Sequence, residues 1–125
     1  MFAEETWGVN KENVIGSAAE YTYTADGKIV RGEEILGRLN LGPGKPEHIF
    51  AQTGRLPVFA GGNADVDIEM LEAAKFGLLI NHDDPDREFA YTAAAEAALA
   101  KAEQLGWTVV SMKNWSTVYG KPAPA

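Results

Sequence analysis

The stretch LPVFAGGNADVDIEMLEAA, Leu56 to Ala74, decides how the rest of the chain is read. An apolar run from Pro57 to Ala60 meets a double glycine, Gly61-Gly62, and a turn, Asn63-Ala64-Asp65; Val66, Met70 and Ala74 then follow at helical spacing. The reading is strand, tight turn, helix. In an open parallel sheet, ligands sit beyond the carboxyl ends of the strands, which places Gly61 to Asp67 where chemistry is done. Three acids, Asp65, Asp67 and Glu69, fall within five positions. Asp65 and Glu69 share a helical face, whereas Asp67 joins Asp65 only if the helix begins late and both stand in its entry turn.

Downstream, Phe76-Gly77-Leu78-Leu79-Ile80 has the length and continuous apolarity of a buried parallel strand, and it empties into Asn81-His82-Asp83-Asp84-Pro85-Asp86. Glu88 to Leu105 reads as an alanine-rich helix with Ala97, Lys101 and Leu105 on one face and Gly106 as its stop. Trp107 to Met112 reads as a third parallel strand. Upstream, Phe2 to Gly8 suits a short helix. Val14 to Thr24 and Ile29-Val30 suit two antiparallel strands about the turn Ala25-Asp26-Gly27-Lys28. Leu36 to Gly44 is a loop, and Lys45 to Thr53 a helix with Pro46 in its first turn and Gly54 past its end. The order predicts one α/β domain over residues 1–119, with helices flanking a three-stranded parallel sheet that the hairpin extends, and a flexible tail at 120–125.

Three parallel strands ending at Gly61, Asn81 and Met112 bring Asn63 to Asp67, His82 to Asp86 and Lys113 to Trp115 to one rim. Hard oxygen ligands with one imidazole suit magnesium or manganese, and the imidazole admits zinc. Structural roles compete at each position. Asp65 and Asp67 can cap a helix, His82 can be a solvated loop residue, and Asp83, Asp84 and Asp86 a solvated turn opened by Pro85. His48 reads as a surface helix residue, and Trp7, Trp107 and Trp115 as core or interface residues.

At 125 residues and 46% apolar content, the chain suits one domain with a core of its own. A net charge of −7 opposes a nucleic-acid backbone or an anionic membrane over most of the surface. It still admits a small phosphorylated substrate where a cation reverses the local field. With no cysteines there is no disulfide, thiolate catalysis or cysteine-based zinc site, which is compatible with a cytoplasmic setting. Met1-Phe2-Ala3-Glu4-Glu5 lacks the basic and apolar regions of a signal peptide, and no stretch is long and apolar enough to span a bilayer.

Gly62-Asn63-Ala64-Asp65-Val66-Asp67, followed by Met70-Leu71, resembles the fourth motif of the haloacid-dehalogenase-type phosphatases, GNSDGDxxML, with Ala64 for serine and Val66 for glycine. Gly44-Lys45-Pro46 is similar to the family's third motif, whose lysine neutralises phosphate and nucleophile. HDDPDREFAY, His82 to Tyr91, and VVSMKNW, Val109 to Trp115, resemble the closing portion of the phosphoserine-phosphatase-like branch. The resemblance is collinear and covers nearly the whole chain, but the first motif, DxDx(T/V) with its attacking aspartate, has no counterpart; it would precede residue 1. It implies a truncated Rossmann-like core, the C-terminal half of such an enzyme, with a sheet edge left uncovered and hence a homo-oligomer, most simply a dimer.

The function so implied is metal-dependent phosphoester hydrolysis, favouring phosphodiesters, by a metal-activated water in place of the aspartyl nucleophile. Asp65 and Asp67 would hold the metal, and Glu69, His82 or Asp83 would complete its shell or act as base. Lys45 and Asn63 would steady the phosphoryl oxygens. The alternative is a non-catalytic remnant or interaction module, or a half-enzyme completed by a separate N-terminal fragment.

Overall fold

The computed structural model describes residues 2–118 and the backbone of residues 121–122. The chain divides into two compact units, Met1–Arg55 and Leu56–Ala125.

In the first unit, α1 (Ala3–Trp7) stops at Gly8, and the strands β1 (Ala19–Tyr23) and β2 (Ile29–Ile35) form an antiparallel hairpin. β1 is shorter than the predicted Val14–Thr24 and β2 longer than Ile29-Val30. The turn between them is held by Thr24, whose hydroxyl donates to Asp26 Oδ1 at 2.5 Å and whose N–H donates to the Lys28 carbonyl at 2.9 Å. The hairpin is a two-stranded sheet of its own and does not extend the parallel sheet as the sequence led us to expect. Helix α2 (Gly44–Thr53) follows the loop and ends at Gly54. A cleft of about 580 Å³ opens in this unit among Val14, Ile15, Ala18, Leu36, His48 and Gln52. His48 is half-buried on its wall. Trp7, expected in a core or interface, is 67% exposed and packs edge-on against Phe2.

The second unit is built on three parallel strands in the order β3 (Phe59–Gly62), β4 (Phe76–Asn81), β5 (Thr108–Ser111). A 3₁₀ turn, Asp65–Asp67, and helix α3 (Ile68–Ala73) connect β3 to β4; helix α4 (Glu96–Leu105) connects β4 to β5. Adjacent parallel strands joined by right-handed crossovers in one direction put both helices on one face. That face is the core: Ala60, Leu71, Leu79, Ala98 and Ala102 are buried together, with Ile68, Met70, Ala74, Leu99 and Trp107 packed around them. Ala98 and Ala102, one turn apart, let α4 lie close to the sheet, so the packing face is theirs; Leu105, which shares a face with Ala97 and Lys101, is 52% exposed. On the far face, Phe59 and Phe76 stand side by side in register, 62% and 67% exposed.

Two boundaries differ from the sequence reading for local reasons. The double glycine lies inside β3, not in the turn after it. A Cβ on Gly62 would stand 2.6 Å from the Cβ of Asp67, so the strand can run on only because this position has no side chain. The predicted helix from Glu88 begins only at Glu96, because residues 82–91 close on themselves. The Tyr91 N–H donates to the His82 carbonyl at 2.9 Å, and Arg87 is locked to Asp84. After β5, strands β6 (Thr117–Val118) and β7 (Lys121–Pro122) pair antiparallel. The predicted tail therefore contains a paired segment, and its other residues, 120 and 123–125, lie outside the described ones. Among the described residues, no helix is long and apolar enough to cross a membrane.

Candidate functional site

The carboxyl ends of β3, β4 and β5 carry three groups of polar residues, and each is anchored differently. After β3 the helix does begin late, at Ile68, with Asp65 and Asp67 both in the entry turn. Their side chains then part. Asp67, 4% exposed, accepts from the N–H groups of Asn63 and Ala64 at 2.9 and 3.2 Å and so closes its own turn. Asp65 Oδ1 accepts from the Ala98 N–H of α4 at 2.8 Å. The N-cap residue of α4 is Ala95, which has no side-chain acceptor, and Asp65 supplies the missing one from another element. Glu69 is half-buried in the first turn of α3.

After β4, His82 Nδ1 lies 3.0 Å from Glu88 Oε2. The Glu88 side chain is 4% exposed and its other oxygen, Oε1, is buried without a hydrogen-bond donor, so that among the described residues its one polar contact is His82. A carboxylate on Nδ1 fixes the imidazole's tautomer and plane and leaves Nε2 for other work. The His82 side chain is 26% exposed. Neighbouring Asp83 accepts from Ser111 Oγ of β5 at 2.8 and 2.9 Å, from the Lys113 N–H at 3.3 Å and from Asn81 Nδ2 at 3.3 Å. Asp83 thereby ties the ends of the central and third strands together.

Beneath this rim is a buried ion pair that the sequence reading took for a solvated turn. Asp84 and Arg87 are 3% and 5% exposed. Arg87 Nε donates to Asp84 Oδ2 at 2.5 Å, and its terminal nitrogens donate to the carbonyls of Met112, Lys113 and Trp115 at 2.9, 3.1 and 2.7 Å. Asp84 Oδ1 in turn accepts from the N–H groups of Asp86 and Arg87. Burial pushes the Asp84 carboxyl up, but the Arg87 guanidinium and the two backbone donors outweigh it and hold the group below the usual carboxylate range. The sequence signal for this staple was present in D-x-x-R spacing at one end of a turn, but its carbonyl partners lie 25 to 28 residues away.

Lys45 occupies the first turn of α2 in the first unit and is half-buried. In the second unit Asn63, Asp65, Asp67, His82 and Asp83 all stand at strand ends, as the topology required. Among the described residues, however, no three His, Asp or Glu side chains gather as a metal shell. The arrangement offers an imidazole held by a buried carboxylate, with acids nearby whose oxygens are partly engaged by the scaffold. Compared with family models and with curated proteins, the chain matches none, so its chemistry is read from this geometry.

Proposed function

We propose that the rim is the active site of a phosphoester hydrolase, favouring phosphodiesters, in which His82 is the general base. One observation carries this: His82 follows the central strand directly and is oriented through Nδ1 by the buried Glu88. Its Nε2 takes a proton from an attacking water. The water oxygen bonds to phosphorus as the bond to the leaving oxygen breaks, and the proton leaves with the alcohol. Asn63 is assigned to the phosphoryl oxygens, on the resemblance of its motif.

The donor set fits a magnesium or manganese ion better than zinc. Magnesium needs only one or two carboxylates with waters and substrate oxygens. Catalytic zinc wants three protein ligands, with imidazole or thiolate among them, and the rim offers one imidazole and no thiolate. Asp65, Asp67 or Asp83 would hold the ion. When bound, it supplies positive charge against the phosphoryl oxygens and acidifies a water. The same reading takes the working form to be a homo-oligomer, because the parallel sheet ends on both sides in edge strands.

A second reading, a non-catalytic remnant or interaction module, is favoured by the structural employment of the acids: Asp65 caps α4, Asp67 closes its turn, and Asp83 ties β4 to β5. Hydrolysis of a chromogenic phosphodiester and monoester, after chelation and with Mg²⁺, Mn²⁺ or Zn²⁺ restored, separates the two. The enzyme reading expects turnover that disappears on chelation. His82→Asn should lower it by about 10²-fold or more, and Glu88→Gln by about 10- to 100-fold. Turnover absent under every condition from a folded protein would leave the module reading.

A further inference from the structure

Among the described residues, Asp83 meets only neutral donors: the Ser111 hydroxyl at 2.8 and 2.9 Å, the Lys113 N–H at 3.3 Å and Asn81 Nδ2 at 3.3 Å. The nearest basic residue in sequence, Arg87, is engaged by Asp84 and by the carbonyls after β5. Asp83 is half-buried, so its charge is partly removed from water without a counter-charge. The single Ser111 proton faces two carboxylate oxygens and can be given to only one at a time, which leaves a free lone pair on the other.

Asn81 adds a second oxygen. Its Nδ2 rests on Asp83 Oδ2, while its Oδ1 is buried with no hydrogen-bond partner among the described residues. Reversing the amide does not cure this: the oxygen would then face the Asp83 carboxylate, and the N–H groups would be buried without an acceptor. Asn81 and Ser111 are register partners at the ends of β4 and β5, so the sheet fixes both groups that act on Asp83. An amide oxygen without a donor, beside a carboxylate without a counter-charge, calls for a cation. A neutral N–H or hydroxyl would meet the first need and leave the second.

We propose that the divalent cation is held here, by Asp83 and the Asn81 side-chain oxygen, with Ser111 as the positioning residue that fixes the carboxylate. The assignment rests on the metal-dependent hydrolase reading and chooses among the acids that reading left open. Asp67 Oδ2 is engaged by two backbone N–H groups of its own turn, and Asp65 Oδ1 by the first turn of α4. One carboxylate and one neutral oxygen, completed by waters and substrate oxygens, suit magnesium or manganese.

Manganese is the probe, because free Mn²⁺ is counted directly by its electron-spin resonance signal. Asp83→Asn should raise the Mn²⁺ dissociation constant at least about tenfold with the circular dichroism unchanged. Asn81→Asp is the decisive variant, since it sets a second carboxylate beside Asp83. It should lower the metal-free Tm, tighten Mn²⁺ binding about tenfold and widen the rise in Tm that Mn²⁺ produces. Ser111→Ala should weaken binding about 10- to 100-fold, and Ser111→Thr should restore it. No Mn²⁺ binding by the folded chain at about 1 mM overturns the site and the metal-dependent reading together. Binding that Asn81→Asp fails to tighten overturns this site, whatever Asp83→Asn does, and leaves the metal-dependent reading standing. Binding that responds to both variants, without turnover of either ester, keeps the site and overturns the hydrolase.

Discussion

A carboxylate at the entry of α3 serves a helix 33 residues further along the chain. Asp65 is the acceptor that the first turn of α4 lacks, since Ala95 cannot cap. Asp65→Ala should cost about 1 kcal/mol in urea unfolding, the usual worth of a lost N-cap. Asp65→Asn keeps an acceptor and should cost less than half of that, yet it removes the charge a cation would need. The amide variant thus tests chemistry with the fold held constant: near-native stability with unchanged metal-dependent turnover would remove Asp65 from the site. Gly62 is constrained in the opposite sense, by a lack of room. Gly62→Ala drives a methyl into Asp67 and should cost about 1 to 3 kcal/mol, read as a lower urea midpoint.

Residues 82–91 form an element that is neither helix nor strand, and its two internal contacts set what it does. The His82–Glu88 pair presents the imidazole, and the Asp84–Arg87 pair pins the chain after β5 through three carbonyls. The folded Asp84 carboxyl titrates below its unfolded value of 3.8. Its contribution to stability is therefore present above about pH 4 and lost as pH falls through the depressed folded value. Asp84→Asn should give a smaller fall in Tm between about pH 6 and pH 3 than the unaltered chain shows, while being less stable near neutrality because Arg87 is left buried without its counter-charge. Thermal melts across that range check it; an unchanged acid limb would mean that other carboxylates set it. Arg87→Met should lower Tm at every pH, since buried carbonyls and Asp84 lose their donor together.

At the scale of the whole molecule, the two units differ in how much they bury. Among the described residues of the first, only Ala3, Ala19 and Gly44 are buried, whereas the second centres on Leu71 and Leu79, both 0% exposed. Leu79→Ala, at the centre of that core, should lower unfolding free energy by about 2 to 5 kcal/mol. Gly77→Ala presses a methyl to 2.8 Å from the Trp107 ring and should be destabilising by about 1 to 3 kcal/mol. Denaturant midpoints for the two variants check both. The order of elements, the three parallel strands and the gathering of Asn63, Asp65, Asp67, His82 and Asp83 at their ends were legible in the chain, because periodicity and glycine spacing are local and topology converts them into a rim. The late start of α4, the burial of Asp84 with Arg87, the pairing of His82 with Glu88 and the separateness of the hairpin were decided by tertiary structure. In each, a polar group or a strand edge finds its partner across space. A backbone or side-chain hydrogen bond is worth little until the partner arrives, so the pattern of residue types alone determines which groups need partners, and folding determines which ones they meet.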